Sequence, residues 1–121
     1  MKKILRFHKS LRLAISGLYT CCKEQSHFNI HLFAASTACV LSIYLKINAI
    51  EWMVVCLTIT AVLAFELINT AIEYLCDMIH PTFHQQIKKI KDIASAAVFL
   101  SALSAVLIGL ILFLPKLITN F

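Results

Sequence analysis

Between positions 66 and 77 the sequence reads ELINTAIEYLCD, which sets Glu66, Asn69, Glu73 and Asp77 at intervals of three, four and four residues. On an α-helix advancing about 100° per residue, Glu66, Glu73 and Asp77 fall within about 40° of one another, and Asn69 lies about 60° from Glu66. The four make one polar stripe on an otherwise apolar segment. Carboxylates about two turns apart suit a hard divalent cation, because Mg2+ is held by one or two carboxylates together with phosphate oxygens. A carboxylate that is free of the cation can orient or deprotonate an attacking hydroxyl. Further on, Lys88, Lys89 and Lys91 offer cations for phosphate, and Asp92 and Ser95 place a carboxylate and a hydroxyl within about one helical turn of Lys91. Metal-held phosphates, a cationic clamp and a carboxylate facing a hydroxyl are the working parts of phosphoryl transfer. Glu66, the deepest of the stripe, is best placed to meet a hydroxyl arriving from an apolar phase.

The elements that must hold these residues are membrane spans. Hydrophobic residues make up 60% of the 121 positions and charged residues only 14%, with a mean hydropathy of +0.86, well outside the average for a water-soluble domain. A span needs roughly 20 mainly apolar residues, and three segments qualify, at about 29–47, 50–75 and 93–114. Trp52 marks an interface, Pro81 a break after the second span, and Pro115 with Lys116 the end of the third. Residues 1–28 lack the unbroken apolar stretch of a cleavable signal peptide. Within about 4–22, Ile4, Phe7, Leu11, Ala14, Ile15, Leu18 and Cys22 share one helical face while Arg6, Lys9 and Arg12 face elsewhere. That segment reads as an amphipathic helix on the inner leaflet, or more plainly as a basic juxtamembrane tail. The expected fold class is therefore an all-α membrane protein of one domain, an N-terminal amphipathic surface helix plus three transmembrane helices.

Six of the 11 Lys and Arg precede the first span and three lie between the second and third, leaving Lys46 and Lys116 for the other side. The positive-inside rule then puts the N-terminus in the cytoplasm. The net charge of +5 has no aromatic interleaving of the nucleic-acid-binding kind, so no nucleic-acid partner is expected. Two glycines in the whole chain exclude a P-loop or dinucleotide fingerprint. The five cysteines show no CxxC spacing and read as small apolar fillers. His27 and His31 have i, i+4 spacing but no evident third ligand, and are assigned an interfacial structural role.

Intramembrane carboxylates cost about 2.5–3.5 kcal/mol each even on lenient insertion scales, so they imply a task or partners. Three readings compete. A lipid kinase uses the stripe for phosphoryl transfer, a small oligomeric transporter or proton-coupled channel uses Glu66 and Glu73 as a relay, and a structural protein uses the stripe as interhelical glue.

The paired segments ELINTAIEYLCD (66–77) and KDIASAAV (91–98), with His84 between them and a basic amphipathic N-terminus ahead, resemble the bacterial integral-membrane diacylglycerol kinase family, which includes undecaprenol kinases. The resemblance covers nearly the whole chain. It implies a homotrimer of the bacterial inner membrane with active sites formed between protomers, MgATP approaching from the cytoplasm, and a lipid alcohol entering from the bilayer. On the matching positions, Glu66 would be the catalytic base facing the lipid, Asn69 a supporting active-site residue, and Glu73 a metal ligand beside the nucleotide. Lys91 and Asp92 would contact the nucleotide, and His84 would sit near it. Arg6 and Ser95 would line the lipid side or the phosphates. The family usually carries a second metal-binding glutamate just before the first span, where this chain has Gln25. Either Glu24 takes that role through a one-residue shift or the second ligand is lost. A solvent pairing of Glu24 with Lys23 is the simpler alternative.

Overall fold

A computed structural model describes the backbone of residues 2–119 and the side chains of residues 4–119. It is all-helical, with α1 over Lys2–Glu24, α2 over Ser26–Tyr44, α3 over Ala49–Ile79 and α4 over Gln85–Thr119. Two of these, α3 and α4, are long and apolar enough to cross a membrane. Helix α2 is 19 residues long, and Ser26, His27, Asn29 and His31 in its first two turns leave it less apolar than the other two.

The helix ends follow from local chemistry. Only Gln25 separates α1 from α2, with extended backbone at φ −114°, ψ 105°, and the Asn29 side chain bridges the break by donating to the Cys22 carbonyl at 2.7 Å. At the far end of α2, Lys46 adopts the left-handed conformation with φ 49°. The Lys46 N–H donates to the Ile43 carbonyl and the Ile47 N–H to the Ser42 carbonyl, each at 3.2 Å. This is the 5→2 and 6→1 pattern of a Schellman cap, completed by burial of Ile47. A side chain at that position is strained where glycine is not. Lys46→Gly is therefore expected to stabilise the fold by roughly 0.5–1 kcal/mol, which unfolding in a denaturing detergent would measure.

Helix α3 opens with a reciprocal capping box. Asn48 Oδ1 accepts from the Glu51 N–H at 3.0 Å, and Glu51 Oε2 accepts from the Asn48 N–H at 2.8 Å. The signal N-x-x-E at 48–51 stands in the sequence, so the helix begins at Ala49, ahead of Trp52. Helix α3 ends at Ile79, and the next residue, His80, is held extended at φ −146°, ψ 91° by the proline that follows it.

Pro115 does not break the helix. Helix α4 continues through Pro115 to Thr119, although a proline inside a helix removes one backbone hydrogen bond. Tertiary contacts compensate: Leu117, beyond the proline, packs against the buried cluster of Leu45, Ile47 and Val55, and Lys116 pairs with Glu51 at 3.0 Å. The Thr119 hydroxyl also donates back to the Pro115 and Lys116 carbonyls.

The chain buries little of its own surface. Few apolar side chains are inaccessible, no described residue of α4 is buried, and Phe33 and Ile111 are 75% and 76% exposed. An apolar exterior of this extent is unsuited to water and calls for a lipid or protein environment.

Candidate active site

Helix α3 carries the polar stripe toward the end where it meets α4. Glu66 is buried, with 5% of its surface exposed, and no side chain among the described residues lies within hydrogen-bond reach of its carboxylate. Thr70, one turn on, is buried as well. Cys21, near the end of α1, lies close to Thr70 and within electrostatic reach of Glu66. Burial pushes the Cys21 thiol above its ordinary range, so it stays protonated and unreactive.

Asn69 and Glu73 are brought together. Asn69 Nδ2 donates to Glu73 Oε1 at 3.0 Å, which fixes the half-buried carboxylate without an ion pair to it among the described residues. The Asn69 Oδ1 is buried without a partner. A buried acceptor in want of a donor or cation, next to an anchored carboxylate, is an incomplete set of hard oxygen donors. Such a set fits a divalent cation whose remaining positions are filled by phosphate and water. No group of three or more His, Cys, Asp or Glu in metal-binding reach occurs among the described residues, so protein ligands alone do not build a closed cage.

Glu24 does not pair with Lys23 among the described residues. Its Oε2 accepts a short 2.6 Å hydrogen bond from the Tyr74 hydroxyl, and Gln25 Nε2 donates to the same phenol oxygen at 3.4 Å. Both candidates for the second metal position therefore meet α3 at the residue next to Glu73.

At the turn between α3 and α4, a cavity of about 410 Å³ is lined by Asp77, His80, Phe83, His84, Lys88, Lys91 and Asp92, among others. His84, Lys91 and Asp92 are thus gathered with Asp77, at the foot of the stripe. Lys91 Nζ bonds Asp77 Oδ1 at 2.6 Å, and Lys88 pairs with Asp92 at 2.7 Å. The His84 ring lies 4.9 Å from that of His80, and His84 Nδ1 accepts from the Gln86 N–H at 3.2 Å, which caps the start of α4. The mixture of cations, imidazoles and carboxylates suits a polyanion with a planar base.

Two expected site residues stay apart from this assembly. Arg6 is exposed on α1, with no ion pair among the described residues, and Ser95 is exposed on α4. His27 is exposed, whereas His31 is half-buried and lines an apolar cleft of about 290 Å³ between α2, α3 and α4. Sequence reasoning missed Thr70, Tyr74 and His80. Only His80 had a legible signal, its four-residue spacing from His84 in one short turn.

The family model for prokaryotic diacylglycerol kinase matches residues 12–113. The undecaprenol kinase of Bacillus subtilis (strain 168) is 37% identical over 93% of this chain and 91% of its own length. The diacylglycerol kinase of Synechocystis sp. is 35% identical over 91% of this chain and 63% of its own length. That of Helicobacter pylori is 35% identical over 79% of this chain and 75% of its own. With the polar stripe and the charged cavity both inside the matched segment, the chain belongs to the prokaryotic diacylglycerol kinase family of lipid kinases.

Proposed function

We propose that this lipid kinase transfers the γ-phosphoryl group of ATP to the hydroxyl of a membrane lipid, diacylglycerol or undecaprenol, with Mg2+ as the accompanying cation. The observation that carries the reading is the anchored Asn69–Glu73 pair, with the orphaned Asn69 oxygen beside it, on the same helix as a buried, unpartnered Glu66. In this mechanism Glu66 accepts the proton of the lipid hydroxyl as that oxygen attacks the γ-phosphorus. The bond from the γ-phosphorus to the β–γ bridging oxygen then breaks, and ADP leaves. Lys91, held by Asp77 in the resting protomer, exchanges that partner for a phosphate oxygen. His84 and Asp92 border the nucleotide, and Arg6 and Ser95 approach the lipid or its phosphates. Glu73 and Glu24 would hold Mg2+, which would supply neutralisation of the phosphate charge.

The whole chain acts as a single domain, with α1 on the inner leaflet and α2, α3 and α4 as three spans. Length supports the third span, since the 19 residues of α2 extend about 28 Å, close to the hydrocarbon thickness. The basic residues support a cytoplasmic N-terminus in the bacterial inner membrane. A homotrimer is supported by the exposed apolar faces and by the need to shield Glu66 and Glu73 from lipid.

The test is transfer from radiolabelled ATP by purified protein in mixed micelles, with diacylglycerol and undecaprenol offered separately, with and without Mg2+. Labelled phosphatidic acid or undecaprenyl phosphate that requires Mg2+ is the expected result. Folded protein that labels neither lipid would overturn the reading. ATP-independent ion flux through liposomes would favour the transporter instead.

A further inference from the structure

Two acidic side chains are offered to the cation, and the structure treats them alike. Each is held through one oxygen by a neutral donor: Glu73 Oε1 by the Asn69 amide at 3.0 Å, and Glu24 Oε2 by the Tyr74 hydroxyl at 2.6 Å. The other oxygen of each has no hydrogen-bonding partner among the described residues. A neutral donor fixes a carboxylate without cancelling its charge, whereas a lysine or arginine would do both. This arrangement is what a cation requires of its ligands.

Glu24 sits at the last residue of α1, where nothing in its own helix fixes the direction of its side chain. The neighbouring Gln25 cannot supply a negative charge, and its amide nitrogen donates to the same phenol, Tyr74 Oη, at 3.4 Å. Tyr74 thus serves as acceptor to one residue of the α1–α2 break and as donor to the other, and it stands beside Glu73 on α3. We infer that Tyr74 is a positioning residue that brings the Glu24 carboxylate to the cation site beside Glu73, making the glutamate at position 24, not Gln25, the second acidic ligand. The inference rests on the metal-assisted reading of the site proposed above.

The experiment compares Mn2+ binding, followed by electron paramagnetic resonance in the presence of a non-hydrolysable ATP analogue, for the full-length protein and four variants in detergent micelles. The variants are Tyr74→Phe, Glu24→Gln, the two combined, and Glu73→Gln. Tyr74→Phe keeps the ring and removes only the hydroxyl. A hydrogen bond to a charged group is worth enough for its loss to weaken Mn2+ binding by about 5- to 20-fold. Glu24→Gln is expected to weaken it at least as much, and the double variant to be no worse than Glu24→Gln alone, since the phenol acts only through that carboxylate. Kinetically, Tyr74→Phe should raise the KM for the metal–nucleotide complex while kcat at saturating metal stays within about twofold.

Wild-type Mn2+ affinity in Tyr74→Phe, or a double variant showing the two losses simply added, overturns the positioning role. Glu73→Gln separates this from the parent reading. If Glu73→Gln loses binding while Tyr74→Phe does not, only the inference about Tyr74 fails. If Glu73→Gln binds Mn2+ as tightly as the unmodified protein, the metal assignment itself fails.

Discussion

Glu66→Gln is expected to lower kcat by about a thousandfold, within the range general-base catalysis supplies, while the KM for ATP changes by less than about twofold. Glutamine has nearly the same shape, so the packing around this 5% exposed position is retained. What disappears is the ability to take up the proton released as the lipid oxygen attacks phosphorus. Because Glu66 has no hydrogen-bonded partner among the described residues, the substitution breaks no network, and a lost rate reports on chemistry, not on collapse. Steady-state phosphate transfer at saturating lipid and ATP measures it. Retention of more than a tenth of the activity would remove the proton-accepting role from this residue.

Glu73→Gln is expected to act differently. The amide oxygen of the new side chain can still accept from Asn69, so the geometry of the pair survives and only the negative charge is lost. Neutral oxygen ligands hold Mg2+ less tightly than carboxylates, so kcat/KM for the metal–nucleotide complex should fall by about two to three orders of magnitude, equivalent to about 3–4 kcal/mol. Part of the loss should be recovered as Mg2+ is raised. Titrating activity against Mg2+ distinguishes the two glutamates: Glu66→Gln stays inactive at every concentration, whereas Glu73→Gln improves. An unchanged Mg2+ requirement in Glu73→Gln would sink its assignment as a ligand.

The all-helical class and the order of the four helices were legible because apolar run length and charge placement are read directly along the chain. The break at Pro81 was legible for the same reason, since proline constrains the residue before it whatever the surroundings. Pro115 misled because the cost of a proline in a helix can be met by contacts distant in sequence, here Leu117 against the core and Lys116 against Glu51. The α2 segment was less apolar than its length suggested, as the histidines and Asn29 dilute its first turns. The polar stripe was legible as a 3.6-residue periodicity, and the Asn69–Glu73 bond follows from i, i+4 spacing. The Tyr74–Glu24 bond joins positions 50 residues apart, and no local pattern announces such a pairing.

The turn between α2 and α3 bears on how the chain enters a bilayer. In the proposed topology this turn must traverse the hydrocarbon once, ahead of the two helices that follow it. Its backbone is already largely self-sufficient: the N–H groups of Leu45, Lys46, Ile47, Asn48, Glu51 and Trp52 all have partners within the hairpin. Unpaired backbone groups are each worth several kcal/mol in lipid, so these bonds lower the barrier. What remains to be desolvated are the first-turn N–H groups of α3 that its cap does not engage and the charges of Lys46 and Glu51, at about 2.5–3.5 kcal/mol apiece for such groups at mid-membrane.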